Sequence, residues 1–198
     1  MAQNPLYPQS APDPKKWENA LCFTGHRPEK LPQGKALSGL LDTLHYYICT
    51  AVEQGYTRFY TGLADGIDYY AADILFTLRL FDPRIRVIGI QPCQFGYDEF
   101  FHSRGYSVTH LRLMQENVDE LIVLPGSAFD RGIFQRRNRA LVDRSSAIIA
   151  VCRDGRSGSL QTYRYAISQG LCYCRIFPDP PDGQILPPEL WPVECLGF

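Results

Sequence analysis

The sequence predicts an α/β protein in which a doubly wound, mostly parallel sheet is covered by helices on both faces. Six short apolar segments alternate with segments of helical periodicity, which is the pattern of strand–helix–strand units. The segment over residues 146–152 is apolar almost throughout, as is typical of a central parallel strand. Three of the strands also end in glycine-bearing turns that open toward a helix.

Each element follows from a local pattern. The first strand ends at Thr24-Gly25, and a helix is predicted over 35–54, where leucine and isoleucine recur at helical spacing before Gly55 ends it. The other predicted strands cover residues 57–61, 86–90, 120–124, 146–152 and 171–177. The other predicted helices cover residues 69–81, 108–118, 129–144 and 160–169.

The 198 residues suit a single domain with additions at its ends. We expect a polar, proline-containing leader over 1–18, a domain over 19–177 and a proline-rich, extended tail with little regular structure over 178–198. The net charge of −1 gives no overall attraction to nucleic acid or to an anionic membrane. No apolar run approaches the roughly 20 residues that span a bilayer, and the leader lacks the hydrophobic segment of a secretory signal.

Cysteine and histidine usage indicates the compartment and argues against a metal site. Seven cysteines are scattered through apolar segments, and this odd number favours reduced thiols in a cytoplasmic protein. None of the four histidines stands in zinc-ligand spacing with cysteine. We therefore expect no metal and no cofactor.

The end of the first strand is the first candidate site. Thr24 and Gly25 stop an apolar run, His26 and Arg27 follow at once, and Pro28 disfavours helix at the residue before it. Ligands of open α/β sheets bind outside the carboxyl ends of the strands, so this polar cluster is suitably placed. A tight turn with an exposed histidine and arginine explains these residues equally well.

The turn over residues 62–68 is the second candidate. Gly62, Ala64 and Gly66 would let the backbone approach a ligand closely. Asp65 could cap the helix that follows, and Asp68 falls in its first turn, where a carboxylate suits the helix dipole. Taken alone, a strand-to-helix turn with a capping aspartate explains this turn without any ligand.

The third candidate is the turn over residues 153–159, in which Gly155 and Gly158 stand with Ser157 and Ser159 and which could cradle a phosphate at a helix N-terminus. Right-handed crossovers place the carboxyl ends of all parallel strands at one edge of the sheet. The three turns should therefore meet at that edge.

Two further segments carry polar or aromatic side chains. Arginines crowd the helix predicted over 129–144, and such a helix is usually a solvated face. Within it, Arg137 is followed by Asn138, whose amide can both donate and accept hydrogen bonds toward a ligand. The aromatic segment over 93–107 is either a lid over a base or, more commonly, a packed irregular loop.

Four motifs taken in order resemble a known family. They are Phe23-Thr-Gly-His-Arg-Pro28, Gly62-x-Ala-x-Gly-x-Asp68, Arg137-Asn138 with Val142-Asp143-Arg144-Ser145, and Ser157-Gly-Ser159 before Tyr165-Ala166. Together they resemble the YpsA/DUF1273 group of the SLOG superfamily, relatives of the DNA-processing protein DprA and of the lysine-decarboxylase-like LOG proteins. The resemblance covers roughly residues 20–177. It implies a Rossmann-like, three-layer α/β/α fold that binds a nucleotide or nucleotide-derived ligand, with no established reaction.

The chain departs from the family in the third turn. Members usually carry a Gly-Gly-Thr type turn where this chain has Ser157-Gly158-Ser159, so a serine Cβ stands where backbone closeness could be needed. The LOG hydrolases carry a glutamate a few residues later, whereas residues 160–163 here contain no acid. Hydrolysis needs a carboxylate, and Asp65 or Asp68 would have to supply it.

The leading hypothesis is therefore a cytoplasmic binding protein for a nucleotide-derived ligand, acting as a sensor or regulator. In it, Arg27 and Ser159 contact phosphate, and Asp68 or Asn138 holds a ribose or a base edge. The second hypothesis is a nucleotide N-glycosidase with Asp68 as the catalytic acid, so enzymatic activity is left open and not favoured. The third is single-stranded DNA binding through the arginines of 131–144. A second copy of the chain is a further candidate partner, and a membrane is not.

Overall fold

The computed structural model describes residues 18–180, 184 and 186–198, so the predicted leader lies almost entirely outside the described residues. Within them, seven strands form one sheet and six α-helices flank it. The strands are β1 (Ala20–Gly25), β2 (Arg58–Thr61), β3 (Arg86–Gln91), β4 (Glu120–Val123), β5 (Ala147–Val151), β6 (Cys172–Ile176) and β7 (Val193–Leu196). The helices are α1 (Lys35–Glu53), α2 (Ile67–Leu78), α3 (Tyr97–Ser103), α4 (Val108–Asn117), α5 (Ile133–Val142) and α6 (Gly158–Ser168).

The strand order is β4-β3-β2-β1-β5-β6-β7. Strands β1 to β6 are parallel, and β7 alone runs antiparallel, at the edge beside β6. The chain proceeds outward from β1 to β4 and then returns to place β5 on the other side of β1. The crevice at a topological switch point is where open α/β sheets bind ligands, and here it lies between the carboxyl ends of β1 and β5.

Alternating side chains of the central strands divide between two cores. Leu21 and Phe23 of β1 pack with α1 and α2, whereas Ala20 and Cys22 pack with α5 and α6. All four side chains are fully buried. Period-two alternation with apolar residues on both faces requires a helical layer on each side, so the three-layer, Rossmann-like architecture predicted from the sequence is confirmed.

The aromatic segment over 93–107 contains a helix that the sequence did not reveal. Helix α3 has only seven residues, too few for a clear helical periodicity. It forms because Tyr97 and Phe101 bury their rings beside the loop that follows β2, where the Tyr97 hydroxyl donates a 2.9 Å hydrogen bond to the Leu63 carbonyl. Of the two alternatives, a lid over a base and a packed loop, the structure shows the packed segment, and part of it is helical.

The tail also differs from the expectation of little regular structure. Its described residues include a 3₁₀ turn, Pro188–Leu190, and strand β7. Trp191 anchors this region, because it is 2% exposed and its indole N–H donates a 2.7 Å hydrogen bond to the Phe177 carbonyl. Strand β7 supplies hydrogen-bond partners to an edge of β6 that would otherwise be unpaired.

None of the helices in the described residues is long and apolar enough to cross a membrane.

The end of β1 packs directly against the start of α2. A Cβ atom added to Gly25 would lie 2.3 Å from the Cβ of Ile67, which is fully buried. We therefore expect Gly25→Ala to displace α2 and to lower the free energy of unfolding by about 1–3 kcal/mol in a urea titration. Gly158→Ala is the control, because a Cβ there meets no atom within 4 Å. Equal stability of the two variants would contradict this account of Gly25.

Candidate functional site at the carboxyl edge of the sheet

His26 joins the loops that follow β1 and β5. Its backbone N–H donates to the Val151 carbonyl at 3.1 Å, and its imidazole Nε2 accepts the Arg153 N–H at 3.0 Å. The residue is 4% exposed. Burial lowers the pKa of His26, and the positive charges of Arg153 and Lys30 lower it further. A neutral imidazole that accepts at Nε2 acts here as an organiser of the crevice.

The turn before α6 fixes the helix start and ties it to β1. Ser157 is the N-cap, and its hydroxyl accepts the Leu160 N–H at 3.1 Å. The Ser159 hydroxyl donates a 2.7 Å hydrogen bond to the Gly25 carbonyl. The amides of Gly158 and Ser159 lie in the first turn, where a helix has no internal acceptors for its N–H groups. This end of α6 therefore presents the arrangement that favours an anion.

Gly158 differs from the other glycines of the predicted site. A Cβ at Gly158 would have no heavy atom within 4 Å, whereas one at Gly62 would lie 2.0 Å from Arg137 Nη1. At Gly66, φ is +88° and a Cβ would lie 2.4 Å from the His26 carbonyl oxygen. Gly62 and Gly66 are thus required by the protein's own packing, whereas beside Gly158 there is open space that a ligand could use.

Asp68 and Arg137 form a buried ion pair beneath the loop that follows β2. Their side chains are each 7% exposed, with 3.7 Å between Arg137 Nη1 and Asp68 Oδ2. Asp68 Oδ2 also accepts the Gly62 N–H at 3.1 Å, and Arg137 Nη1 donates to the Gly62 carbonyl. Burial raises the pKa of Asp68, while the guanidinium groups of Arg137 and Arg27 act in the opposite direction. This pair holds the loop in place.

A chain of polar contacts continues from this pair to the start of α6. Arg137 Nε donates to Asn138 Oδ1 at 2.8 Å, and Asn138 Nδ2 donates to the Thr162 hydroxyl at 2.8 Å. The Thr162 hydroxyl in turn donates to the Gly158 carbonyl at 2.8 Å. The Asn138 amide thus orients α5 relative to the first turn of α6.

Asp65 does not cap α2, contrary to the sequence-based expectation. The N-cap position is Gly66, without a side-chain cap bond. The Asp65 carboxylate instead accepts the Gly66 N–H at 2.9 Å and the Ser107 N–H at 2.8 Å, and lies 2.9 Å from His110 Nδ1. The conformation of the loop after β2 directs the Asp65 carboxylate toward α4. Spacing along the sequence could not show this direction. Ala64, beside it, is 5% exposed.

Arg27 lies against the aromatic segment. Its guanidinium carbon is 4.7 Å from the ring centre of Tyr106 and 5.8 Å from that of Phe101. Among the described residues, its Nη1 is the one buried side-chain nitrogen or oxygen without a hydrogen-bond partner. A ring face attracts a cation but does not replace an oxygen acceptor, so this N–H group is suited to an anionic ligand atom.

A cleft of about 210 Å³ lies between α5 and α6. Its lining includes Asn138 and Gly158, which the sequence singled out. It is completed by Phe134, Gln135, Arg139, Gln161, Thr162 and Tyr165. Arg139 belongs to the arginines expected to bind DNA, and Tyr165 to a family motif, but the other four were not predicted. Their helical spacing places them on one face of each helix, and only the packing of α5 against α6 brings the two faces together. Pockets that enclose a whole small ligand measure about 300–1,000 Å³, so this cleft is large enough for only part of such a ligand.

The predicted residues thus occupy one edge of the sheet in two groups. Thr24, Gly25, His26, Ser157, Gly158 and Ser159 surround the crevice between β1 and β5. Gly62, Ala64, Gly66, Asp68, Arg137 and Asn138 form the loop after β2 and the polar chain that leads to α6. Arg27 lies on the side of α3. Thr24 and Ser159, respectively 6% and 9% exposed, are enclosed by their neighbours.

Comparisons with known proteins bear on the fold. No family model matches the chain, and no curated protein matches it significantly. DNA processing protein A (DprA) from Streptococcus pneumoniae has a similar structure, with a TM-score of 0.52 and 18% identity over 83% of this chain and 52% of that chain. The chain has the Rossmann-like fold of DprA. At this identity the likeness shows the fold alone, and the chain spans about half the length of the pneumococcal protein.

A second similar structure is DNA processing protein A from Helicobacter pylori, whose single-stranded DNA binding mode is described. The TM-score is 0.48, with 19% identity over 78% of this chain and 63% of that chain. The YpsA/DUF1273 group within this fold stays a prediction from the sequence motifs.

The Asp68–Arg137 pair generates a stability prediction. Arg137→Met leaves a buried carboxylate without its partner charge, so we expect the free energy of unfolding to fall by about 3–5 kcal/mol in denaturant. Arg139→Met, on the exposed side of the same helix, should change it by less than about 0.5 kcal/mol. Adding Asp68→Asn to Arg137→Met should recover part of the loss. Similar effects of the two arginine variants would exclude a structural role for the pair.

Proposed function

We propose that the protein binds a nucleotide or nucleotide-derived ligand at the α5–α6 cleft and the adjoining crevice, and that it acts as a sensor or regulator. The observation that carries the proposal is the open space at Gly158, where the first turn of α6 meets the cleft. A phosphate placed there would accept hydrogen bonds from the amides of Gly158 and Ser159 and would lie at the positive end of the helix dipole.

The charges of the flanking helices support an anionic ligand. The sequences of α5 and α6 contain Arg136, Arg137, Arg139 and Arg164 and no aspartate or glutamate. The nearby carboxylates are engaged elsewhere: Asp143 accepts from the Tyr165 hydroxyl at 2.8 Å, and Asp154 pairs with Arg175 at 2.8 Å. Arg139, which lines the cleft, suits bidentate contact with phosphate oxygens.

The cleft lining also offers contacts for a base. The rings of Phe134 and Tyr165 supply apolar surface, and the amides of Gln135 and Gln161 can donate and accept hydrogen bonds. The lining contains no carboxylate, and Asp68, the acid expected of an N-glycosidase, is enclosed with Arg137. Hydrolysis of the N-glycosidic bond needs a carboxylate near that bond, so the composition of the cleft favours ligand binding over hydrolysis.

Isothermal titration against a panel of nucleoside monophosphates and dinucleotides tests the proposal. We expect Gly158→Val to weaken binding at least tenfold, because its side chain fills the space assigned to phosphate while the unliganded protein has room for it. Gln169→Ala, at the opposite end of α6, is the matched control and should leave the affinity unchanged. Failure of the whole panel to bind, or unchanged binding by Gly158→Val, would refute it.

Arg27 provides a separate test of the same function. If its unpartnered Nη1 contacts the ligand, Arg27→Gln should weaken binding of a ligand with two phosphates more than that of a ligand with one. Arg104→Gln is the control, because its guanidinium also lies over a ring of this segment, 5.5 Å from the centre of Phe100. Equal losses for the two variants would remove Arg27 from the site.

Single-stranded DNA binding is a second candidate, favoured by the exposure of Arg131, Arg136, Arg139 and Arg164. The arginines of α5 and α6 flank a cleft with aromatic lining, and such a combination tracks a phosphate backbone while stacking bases. The net charge of −1 means that any attraction would be local to this face.

Fluorescence anisotropy with a labelled oligonucleotide distinguishes this candidate. Affinity should fall steeply with salt, and the variant Arg136→Gln/Arg139→Gln should reduce the slope of log K against log salt by about one per lost phosphate contact. Arg84→Gln/Arg112→Gln carries the same charge change on other elements and should leave the slope unchanged. No binding at low salt would exclude this candidate without affecting the nucleotide proposal.

A further inference from the structure

Two cysteines face each other across the last two strands of the sheet. In the antiparallel register of β6 and β7, Cys174 is directly opposite Cys195. Directly opposed residues project from the same face, with Cβ atoms about 4.5–5.5 Å apart, whereas a disulfide needs about 3.5–4.5 Å. Because β7 is an edge strand with a partner on one side only, a shift of this size requires little rearrangement.

The two thiols differ in exposure and in acidity. Cys174 is fully buried in the core beside α1, and Cys195 is exposed. Contact with Cys174 lowers the pKa of Cys195, and the Tyr47 hydroxyl of α1 adds to this effect. The same contact, together with burial, raises the pKa of Cys174. Cys195 is therefore placed to react first, with Cys174 held behind it.

The other cysteines are not placed for this reaction. Cys22, Cys93 and Cys152 are buried, and Cys49 is half-buried. Cys172 packs against Gly197, where an added Cβ would lie 2.6 Å from the Cys172 sulfur. Among the four residue pairs that join β6 and β7, only Cys174 and Cys195 set thiol against thiol.

We propose that Cys174 and Cys195 are a peroxide-reactive thiol pair that closes to a disulfide between β6 and β7. The Cys195 thiolate attacks one oxygen of hydrogen peroxide; the S–O bond forms, the O–O bond breaks, and the departing hydroxide takes up a proton as water. The Cys174 sulfur then loses its proton and attacks the Cys195 sulfenic acid, so that the S–S bond forms, the S–O bond breaks and a second water leaves. Two thiols are oxidised by two electrons, and peroxide is reduced to two waters.

The disulfide would fix β7 beside an arginine of β6 that contacts the loop after β5. Next to the pair in the register, Arg175 is opposite Glu194, with its Nη1 3.4 Å from a Glu194 carboxylate oxygen. The Arg175 guanidinium also pairs with Asp154 in the loop before α6 at 2.8 Å. Closing the bond holds Glu194 against Arg175 and thereby links β7 to the loop before α6. In a reducing compartment, a bond of this kind would be transient and redox-sensing.

Titration of the reduced 198-residue chain with hydrogen peroxide tests the proposal independently of any ligand. We expect the loss of two alkylatable thiols, a mass decrease of two hydrogen atoms, and a tryptic species that joins the peptides of Cys174 and Cys195. The melting temperature should rise by several degrees on oxidation and return on reduction. Cys172→Ser, the matched control on β6, should behave like the natural chain, and Cys195→Ser should show none of these changes.

A second measurement keeps the test decisive if closure is slow. In Cys174→Ser, the Cys195 sulfenic acid has no resolving thiol and should accumulate, so that a sulfenic-acid-specific reagent labels Cys195 ahead of Cys49 and Cys172. Labelling spread evenly over the half-buried and exposed cysteines would overturn the proposal. So would a disulfide between any other pair, or between two chains, in the natural protein.

Discussion

Arg137 is enclosed between three elements, with its guanidinium against the Gly62 carbonyl, the Asp68 carboxylate and the Asn138 amide. A charge removed from water in this way is tolerated only when opposing charge and hydrogen bonds satisfy it. The loop after β2, the start of α2 and the helix α5 must therefore keep their relative positions. The geometry of the whole carboxyl edge depends on this requirement, because α5 in turn positions α6 through Asn138 and Thr162.

Four glycines of this edge stand in similar strand-to-helix turns of the sequence but have different physical roles. Gly25 admits the side chain of Ile67, and Gly62 admits the guanidinium of Arg137. Gly66 adopts a positive φ beside the His26 carbonyl. These three let parts of the protein approach one another, whereas Gly158 faces open space. A glycine turn at the end of a strand is therefore a poor indicator of a ligand until the space beside its Cα is known.

Two features of the edge remain unsatisfied by the protein itself. One is the pair of Gly158 and Ser159 amides in the first turn of α6, which lack helical acceptors, and the other is the buried Nη1 of Arg27. Both are donors, and both lie where parallel strands end. Meanwhile the polar groups that sequence inspection would rank as reactive, Asp68 and His26, already have partners within the chain. These unsatisfied donors, rather than the titratable side chains, favour an anionic ligand.

The sequence by itself determined how strands and helices alternate along the chain, the parallel character of the sheet and the meeting of three turns at one edge. It could do so because periodicity and right-handed crossovers are local or general rules. Helix α3 was not predicted because seven residues carry little helical periodicity. Strand β7 was not predicted because a segment of four residues becomes a strand only by pairing with the free edge of β6. The pairing of Asp68 with Arg137, the turning of Asp65 toward His110 and the cleft between α5 and α6 were decided by tertiary structure alone. Each depends on which distant side chains the packing of helices against the sheet brings within a few ångströms, and no spacing along the chain encodes that distance.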